Sequence, residues 1–198
     1  VGVPYENLTE ENISVVTKDG KILGESVGAI CGFGYSQGHR MRISPVSMPI
    51  VHTHSTYATI LAQLRLPLAC FGTTHADYFA GDVPCVRELE EKEILDRYEW
   101  NTGMTIVDYF KENHISPEDI PAALTPGHGP FTWGEDVWDA VHKSVVLEEI
   151  SKMAVHMLCI DKNVQPLKRA VAHRHYNRKH GADAAFTKDD HGHGMIQR

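Results

Sequence analysis

Positive charge is in the minority in this chain: 19 Lys and Arg stand against 26 Asp and Glu in 198 residues, a formal net charge of −7. That balance excludes a surface built to attract nucleic acid or an anionic membrane, while leaving a small anionic substrate open, because local charge decides that case. No apolar run approaches the ~20 residues of a membrane span, and no signal peptide opens the chain. Cysteine is sparse and unpatterned: Cys31, Cys70, Cys85 and Cys159 form no CxxC pair and no framework of a small secreted domain, so reduced thiols and a cytoplasmic location are expected. There are no internal repeats and no low-complexity tracts. The most local scarcity is acidic: from Ser26 to Ala76 neither Asp nor Glu occurs, so that stretch offers no carboxylate to a metal or to proton transfer.

What is present suits a folded enzyme-sized unit. With 42% hydrophobic and 23% charged residues, 1–198 is expected to form a single domain with its own core. Strand-like and helix-like runs alternate. A short helix starts at Thr9, and two strand-like runs flank the turn Lys18–Gly20. "VHTHS" reads as a strand, "STYATILAQLRL" as a helix capped by Ser55, and "PLACFG" as a buried strand. "ELEEKEILDRYEW" and "TGMTIVDYFKEN" read as a polar helical segment and an amphipathic helix. "SPEDIPAALTPGHGPFTWG" reads as loop around a short strand "AAL". A long helix is expected from Glu135 to Ile160, with Val146, Ile150, Met153 and Met157 along one face. A last helix, "PLKRAVAHRHYNRKHG", should stop at Gly181 in the left-handed conformation.

The chemistry gathers around "IVHTHSTYATILAQ", residues 50–63. Alternation along a strand sends residues i and i+2 to one face, so His52 and His54 should point together, about 7 Å apart at the backbone. A catalytic metal takes three protein ligands and keeps an open position, and imidazole is among the commonest donors. His128, between two glycines in "TPGHGPFTWG", is the candidate third ligand, since glycine permits close approach. With thirteen histidines in the chain, an isolated HxH pair is more often a pair of surface histidines than a metal site. Asp77 follows a Gly-Thr-Thr turn, where a carboxylate serves either as general acid or base, or simply as a turn former.

In combination these words are specific. "HTHS", "GTTHADYF", "GDVPC", "YEW", "TG" and "HGPFTWG" in that order resemble the class II aldolase/epimerase family, which also includes adducin, and more its epimerase branch than its aldolases. The resemblance runs from about Pro49 to Gly181, with a weaker extension over residues 1–23. It implies an α/β fold with a central, mainly antiparallel sheet flanked by helices, assembled as a homotetramer. It implies one zinc ion per subunit on His52, His54 and His128, with Asp77 and His175 as catalytic residues, His175 reached from the neighbouring subunit, and Gly2 at the substrate. The implied reaction is inversion at C4 of L-ribulose 5-phosphate, in arabinose or ascorbate catabolism, by cleaving and re-forming the C3–C4 bond. An aldolase acting on a deoxy-ketose 1-phosphate and a non-catalytic adducin-like assembly domain are the alternative readings.

The chain also departs from the family pattern. It begins within the segment resembling Lys-Pro-Ser-Gly-Val, keeping Gly2 but not the lysine. Where the family has Ser-Ser-Asp/Glu-Thr for phosphate and an acidic fourth ligand, residues 26–49 read "SVGAICGFGYSQGHRMRISPVSMP", either divergent or translated from a shifted reading frame. In the divergent tail, 182–198, Phe186 stands where the family has a tyrosine. The expectation is a chain that keeps its metal and turns over weakly.

Overall fold

In the computed structural model the described residues are 15–16, 22–23, 48–181 and 184. Thr9, the Lys18–Gly20 turn, Gly2, residues 26–47 of the atypical stretch and Phe186 lie outside them. Along the chain the elements are β1 (Val15–Val16), β2 (Ile22–Leu23), β3 (Ile50–His52), α1 (Thr56–Leu64), α2 (Thr73–Ala76), α3 (Glu91–Leu95), α4 (Tyr98–Glu112), β4 (Ala122–Thr125), β5 (Gly129–Trp133), α5 (Val137–Ile160) and α6 (Arg169–His180). They fall into two compact units, β1, β2, α3 and α4 forming the first and the rest the second.

In the first unit, β1 and β2 pair antiparallel with Val15 opposite Leu23, as the two strand-like runs lead one to expect. The polar run after Glu88 splits into α3 and the first turn of α4. A reciprocal capping box between Glu90 and Glu93 starts α3, and Arg87 grips the Glu93 carboxylate with two bonds of 2.7 Å. Helix α4 is amphipathic, burying Thr102, Gly103, Thr105, Ile106, Val107 and Phe110.

The second unit is built on an antiparallel sheet of order β3-β5-β4, with His52 opposite Phe131 and Ala123 opposite Phe131 on the other side. Helices α1 and α5 pack on this sheet and on each other, and α2 packs on α6 and α5. The core joins Ala58, Leu61 and Ala62 of α1 to Leu124 of β4 and to Leu147, Ile150 and Ala154 of α5. Trp133 is fully buried, and its indole N–H donates to the Pro117 carbonyl at 2.8 Å.

Four local expectations change on folding. "HGPFTWG" is not loop: all five residues of β5 are buried, and a central strand buried on both faces shows no polar/apolar alternation to read. "PLACFG" reaches only a single bridge, Leu68 to Val83, because the Cys70 N–H that would extend a ladder donates instead to Asp82 Oδ1 at 2.7 Å. The buried face of α5 carries Ala140, Leu147, Ile150, Ser151 and Ala154, so Ile150 faces inward as expected while Met153 is 51% exposed. Gly181 ends α6 with extended backbone (φ −73°, ψ 169°) rather than left-handed; glycine fits because a Cβ there would lie 2.6 Å from the Asn177 carbonyl oxygen.

Buried His75 gives the second unit a pH dependence. Its Nε2–H donates to the Gly81 carbonyl at 2.8 Å, and burial pushes its pKa below the ordinary value of 6.5. The unfolded imidazole, titrating near ~6.5, therefore takes up a proton first as pH falls, and stability present above that pH is lost below it. Thermal melts of His75→Gln between about pH 7 and pH 5 should show a shallower fall of Tm with pH than the parent. An unchanged slope would remove His75 from this account.

Candidate metal centre

Strand β3 ends at His52, and His54 lies beyond it, in the short link Thr53–Ser55 that turns into α1. The two rings still meet, with centroids 5.0 Å apart, but the turn out of the strand rather than strand alternation sets the approach of His54. His128 arrives on the turn between β4 and β5, where Gly127 takes φ +66°, a conformation that suits glycine. Its ring lies 4.7 Å from that of His52 and 5.0 Å from that of His54. One ligand atom from each of the three histidines lies within 4.8 Å of the others.

The nitrogens are disposed as ligands. His52 Nδ1–H donates to the Pro130 carbonyl at 3.0 Å, which fixes the tautomer and makes Nε2 the nitrogen that carries the lone pair. That Nε2 lies 3.2 Å from His128 Nε2. Two donors on a tetrahedral ion with bonds of 2.0–2.1 Å stand about 3.3–3.4 Å apart, so this pair fits a zinc-sized ion. Burial first, opposed in part by the bond to Pro130 and aided by His128 and His54, pushes the His52 pKa down to about 4. Burial also lowers that of His128, with His54 adding to the effect. Both rings are therefore neutral at pH 7, the state in which imidazole binds a metal. Phe131, stacked on His52 at 4.0 Å, walls the site on one side.

Gly129 lets the two segments close on each other. A Cβ at this position would lie 2.7 Å from the Thr53 carbonyl oxygen and 3.2 Å from His54 Cδ2. Gly129→Ala should therefore push the hairpin off the histidine link and weaken metal binding in a titration, even where circular dichroism stays that of the parent. Parental affinity in the folded variant would show that the backbone yields without moving the ligands.

Asp77 sits at the C-terminal cap of α2 with its side chain only 14% exposed. Helix α6 surrounds it. His175 Nδ1 lies 3.1 Å from Asp77 Oδ1, Arg178 spans both carboxylate oxygens at 3.0 Å, and Lys179 Nζ stands 3.8 Å away. His180 Nε2–H donates to the Asp77 backbone carbonyl at 2.9 Å. The two sequence-predicted catalytic residues thus lie side by side within one chain. Arg178, Lys179 and His180 were not singled out in the sequence. The signal was present in "HRHYNRKH": His175, Arg178 and Lys179 are spaced i, i+3, i+4, which puts them on one helix face. Gly2, the predicted substrate residue, lies outside the described residues.

The sheet, the helices packed on it and a three-histidine cluster at the hairpin turn define an α/β protein with a site suited to a divalent metal. The model of the family described as "Class II Aldolase and Adducin N-terminal domain" matches residues 1–155, and the chain belongs to the class II aldolase and adducin family. It is 38% identical over 190 residues to L-ribulose-5-phosphate 4-epimerase UlaF of Salmonella paratyphi C (strain RKS4594), covering 93% of this chain and 80% of that protein. The UlaF of Salmonella typhi is likewise 38% identical, over 185 residues. Among solved structures, an L-fuculose 1-phosphate aldolase superposes with a TM-score of 0.61 at 21% identity, over 87% of this chain and 76% of its own. YgbL from Escherichia coli superposes with 0.62 at 22%, over 87% and 77%. These structural likenesses, at low identity, establish the fold.

Proposed function

We propose that the chain is a zinc-dependent epimerase that converts L-ribulose 5-phosphate to D-xylulose 5-phosphate in pentose catabolism in the cytoplasm, working as a homotetramer. The convergence of His52, His54 and His128 carries the reading, because it offers three imidazole donors to a divalent metal in a chain 38% identical to a protein named L-ribulose-5-phosphate 4-epimerase. His52, His54 and His128 would hold the divalent cation, which would supply Lewis-acid stabilisation of the negative charge that develops as C3–C4 breaks.

The chain's own residues account for the protons. The C4 hydroxyl gives its proton to the base, C3–C4 breaks, and the bond's electron pair passes toward the C2 carbonyl, leaving the enediolate of dihydroxyacetone and glycolaldehyde phosphate. The aldehyde presents its other face, the bond re-forms and the proton returns to the C4 oxygen, so atoms balance with C4 inverted. Asp77 and His175, joined at 3.1 Å, are assigned to this proton exchange. The remaining proton carrier, for the opposite face, is assigned to a neighbouring copy in the tetramer.

The test is incubation of the zinc-loaded chain with L-ribulose 5-phosphate, following D-xylulose 5-phosphate. Slow but metal-dependent product is expected, because residues 26–49 offer no acidic ligand and no Ser-Ser for the phosphate, and remote phosphate binding helps position the reacting carbons. An ordinary rate of ~1–10³ s⁻¹ would show that this stretch supplies substitute groups. Dihydroxyacetone phosphate released from a deoxy-ketose 1-phosphate, with no epimer formed, would reassign the chain to the aldolases. A chain with neither activity nor bound metal would be a non-catalytic relative.

A further inference from the structure

Helix α1 begins one residue after the His54-Ser55 pair, and its first turn leaves backbone N–H groups without partners inside the helix. Ser55 holds the cap position, yet its side chain makes no capping bond. The N–H groups of Tyr57 and Ala58, those a capping side chain would normally take, point instead at a carboxylate some ninety residues downstream. Tyr57 N–H donates to Glu148 Oε1 at 2.9 Å and to Oε2 at 3.1 Å, and Ala58 N–H donates to Oε2 at 2.9 Å. An anion at a helix N-terminus is doubly favoured, by these bonds and by the helix dipole. Glu148 is half-buried on α5, next to fully buried Leu147, so its position is set by the core.

The three histidines are not equally supported. His52 is held through its ring by Pro130, and His128 rides on a hairpin turn closed by its own backbone N–H to the Thr125 carbonyl at 3.1 Å. Among the described residues no hydrogen bond holds the ring of His54, which is the exposed member of the cluster. Its aim depends on the backbone on either side: Thr53, closed on by Gly129, and the start of α1, closed on by Glu148.

We propose that Glu148 is a positioning residue of the metal centre, acting through the N-terminus of α1 to hold His54 on its partners. The inference rests on the metal reading of His52, His54 and His128. Its role differs from that of an ordinary cap because the segment it pins carries a ligand. Truncating it should cost metal affinity beyond what the loss of stability explains.

The experiment is a titration of the full chain with Co²⁺, read by visible absorption, beside thermal melts of the metal-free protein. Glu148→Ala should weaken Co²⁺ binding by roughly 10–100-fold, the range for losing an outer partner of a metal ligand. Ile150→Val, a core substitution on the same helix, should lower Tm and leave Co²⁺ affinity at the parental value. Glu148→Gln keeps one oxygen able to accept from Tyr57 or Ala58 but no charge, and should fall between parent and alanine variant. It also serves as the reading if the alanine variant does not fold. Parental affinity in Glu148→Ala, or in Glu148→Gln should only that variant fold, would overturn the inference and leave Glu148 as a stabilising cap alone. A parent chain that takes up no Co²⁺ would overturn the metal reading itself, and this inference with it.

Discussion

His128→Ala is expected to take the metal content of the purified chain from stoichiometric to a small fraction, measured by elemental analysis after dialysis. The three imidazoles are the only donors the described residues bring to one point, and His52 Nε2 and His128 Nε2 face each other at 3.2 Å with no carboxylate among them. Removing either leaves two imidazole ligands, one of them the exposed His54, which is too little chelation to hold a hydrated dication. His52→Ala should do the same, and His52→Ala/His128→Ala should be no worse than either single change, because the metal is already gone. Groups that act as one site lose their function together rather than in increments. Unchanged metal in both single variants would disprove the assignment.

A large kinetic effect with the metal retained is expected at Asp77. Asp77→Asn retains the shape and one accepting oxygen for His175 or Arg178, but abolishes the carboxylate's proton chemistry. Turnover of L-ribulose 5-phosphate should fall by roughly 10²–10⁴ against the parent, while bound metal stays the same. The surroundings of Asp77 make the alternatives concrete. Because Arg178, Lys179 and His175 all reach it from α6, an Asp77 that merely anchors this helix would give a lowered Tm with near-parental turnover. Loss of metal would instead make it a ligand. Arg178 is 41% exposed, so its ion pair with Asp77 is screened by solvent and contributes little by itself to stability.

Much of this was legible along the chain because it depends on local order. The words "HTHS", "GTTHADYF" and "HGPFTWG" identify the family, and they name the three histidines and Asp77. The amphipathic period of α4 and the apolar content of α1 announce helices, since burying one face requires a 3.6-residue repeat. Patterns of this kind fade where an element is buried on every side, which is why β5 reads as a loop although every residue of it is in the core. They also fade where a side chain takes over a backbone partner, as Asp82 does at Cys70, cutting an expected strand to a single bridge.

The sequence by itself determined which residue types were available to the chemistry: histidines for a metal, one carboxylate after a Gly-Thr-Thr turn, a basic helix near the end, and no acid between Ser26 and Ala76. Only the tertiary structure decided how they meet. It set His52 and His128, 76 positions apart, with their nitrogens converging, brought α6 of the same chain onto Asp77, and closed the first turn of α1 with Glu148 instead of Ser55. The physical reason is common to all three. A lone pair, a carboxylate or an unpaired N–H can be met equally well by any suitable group, near or distant in sequence. The choice among them is made by the packing of α1 and α5 on the sheet, and of α2 on α6.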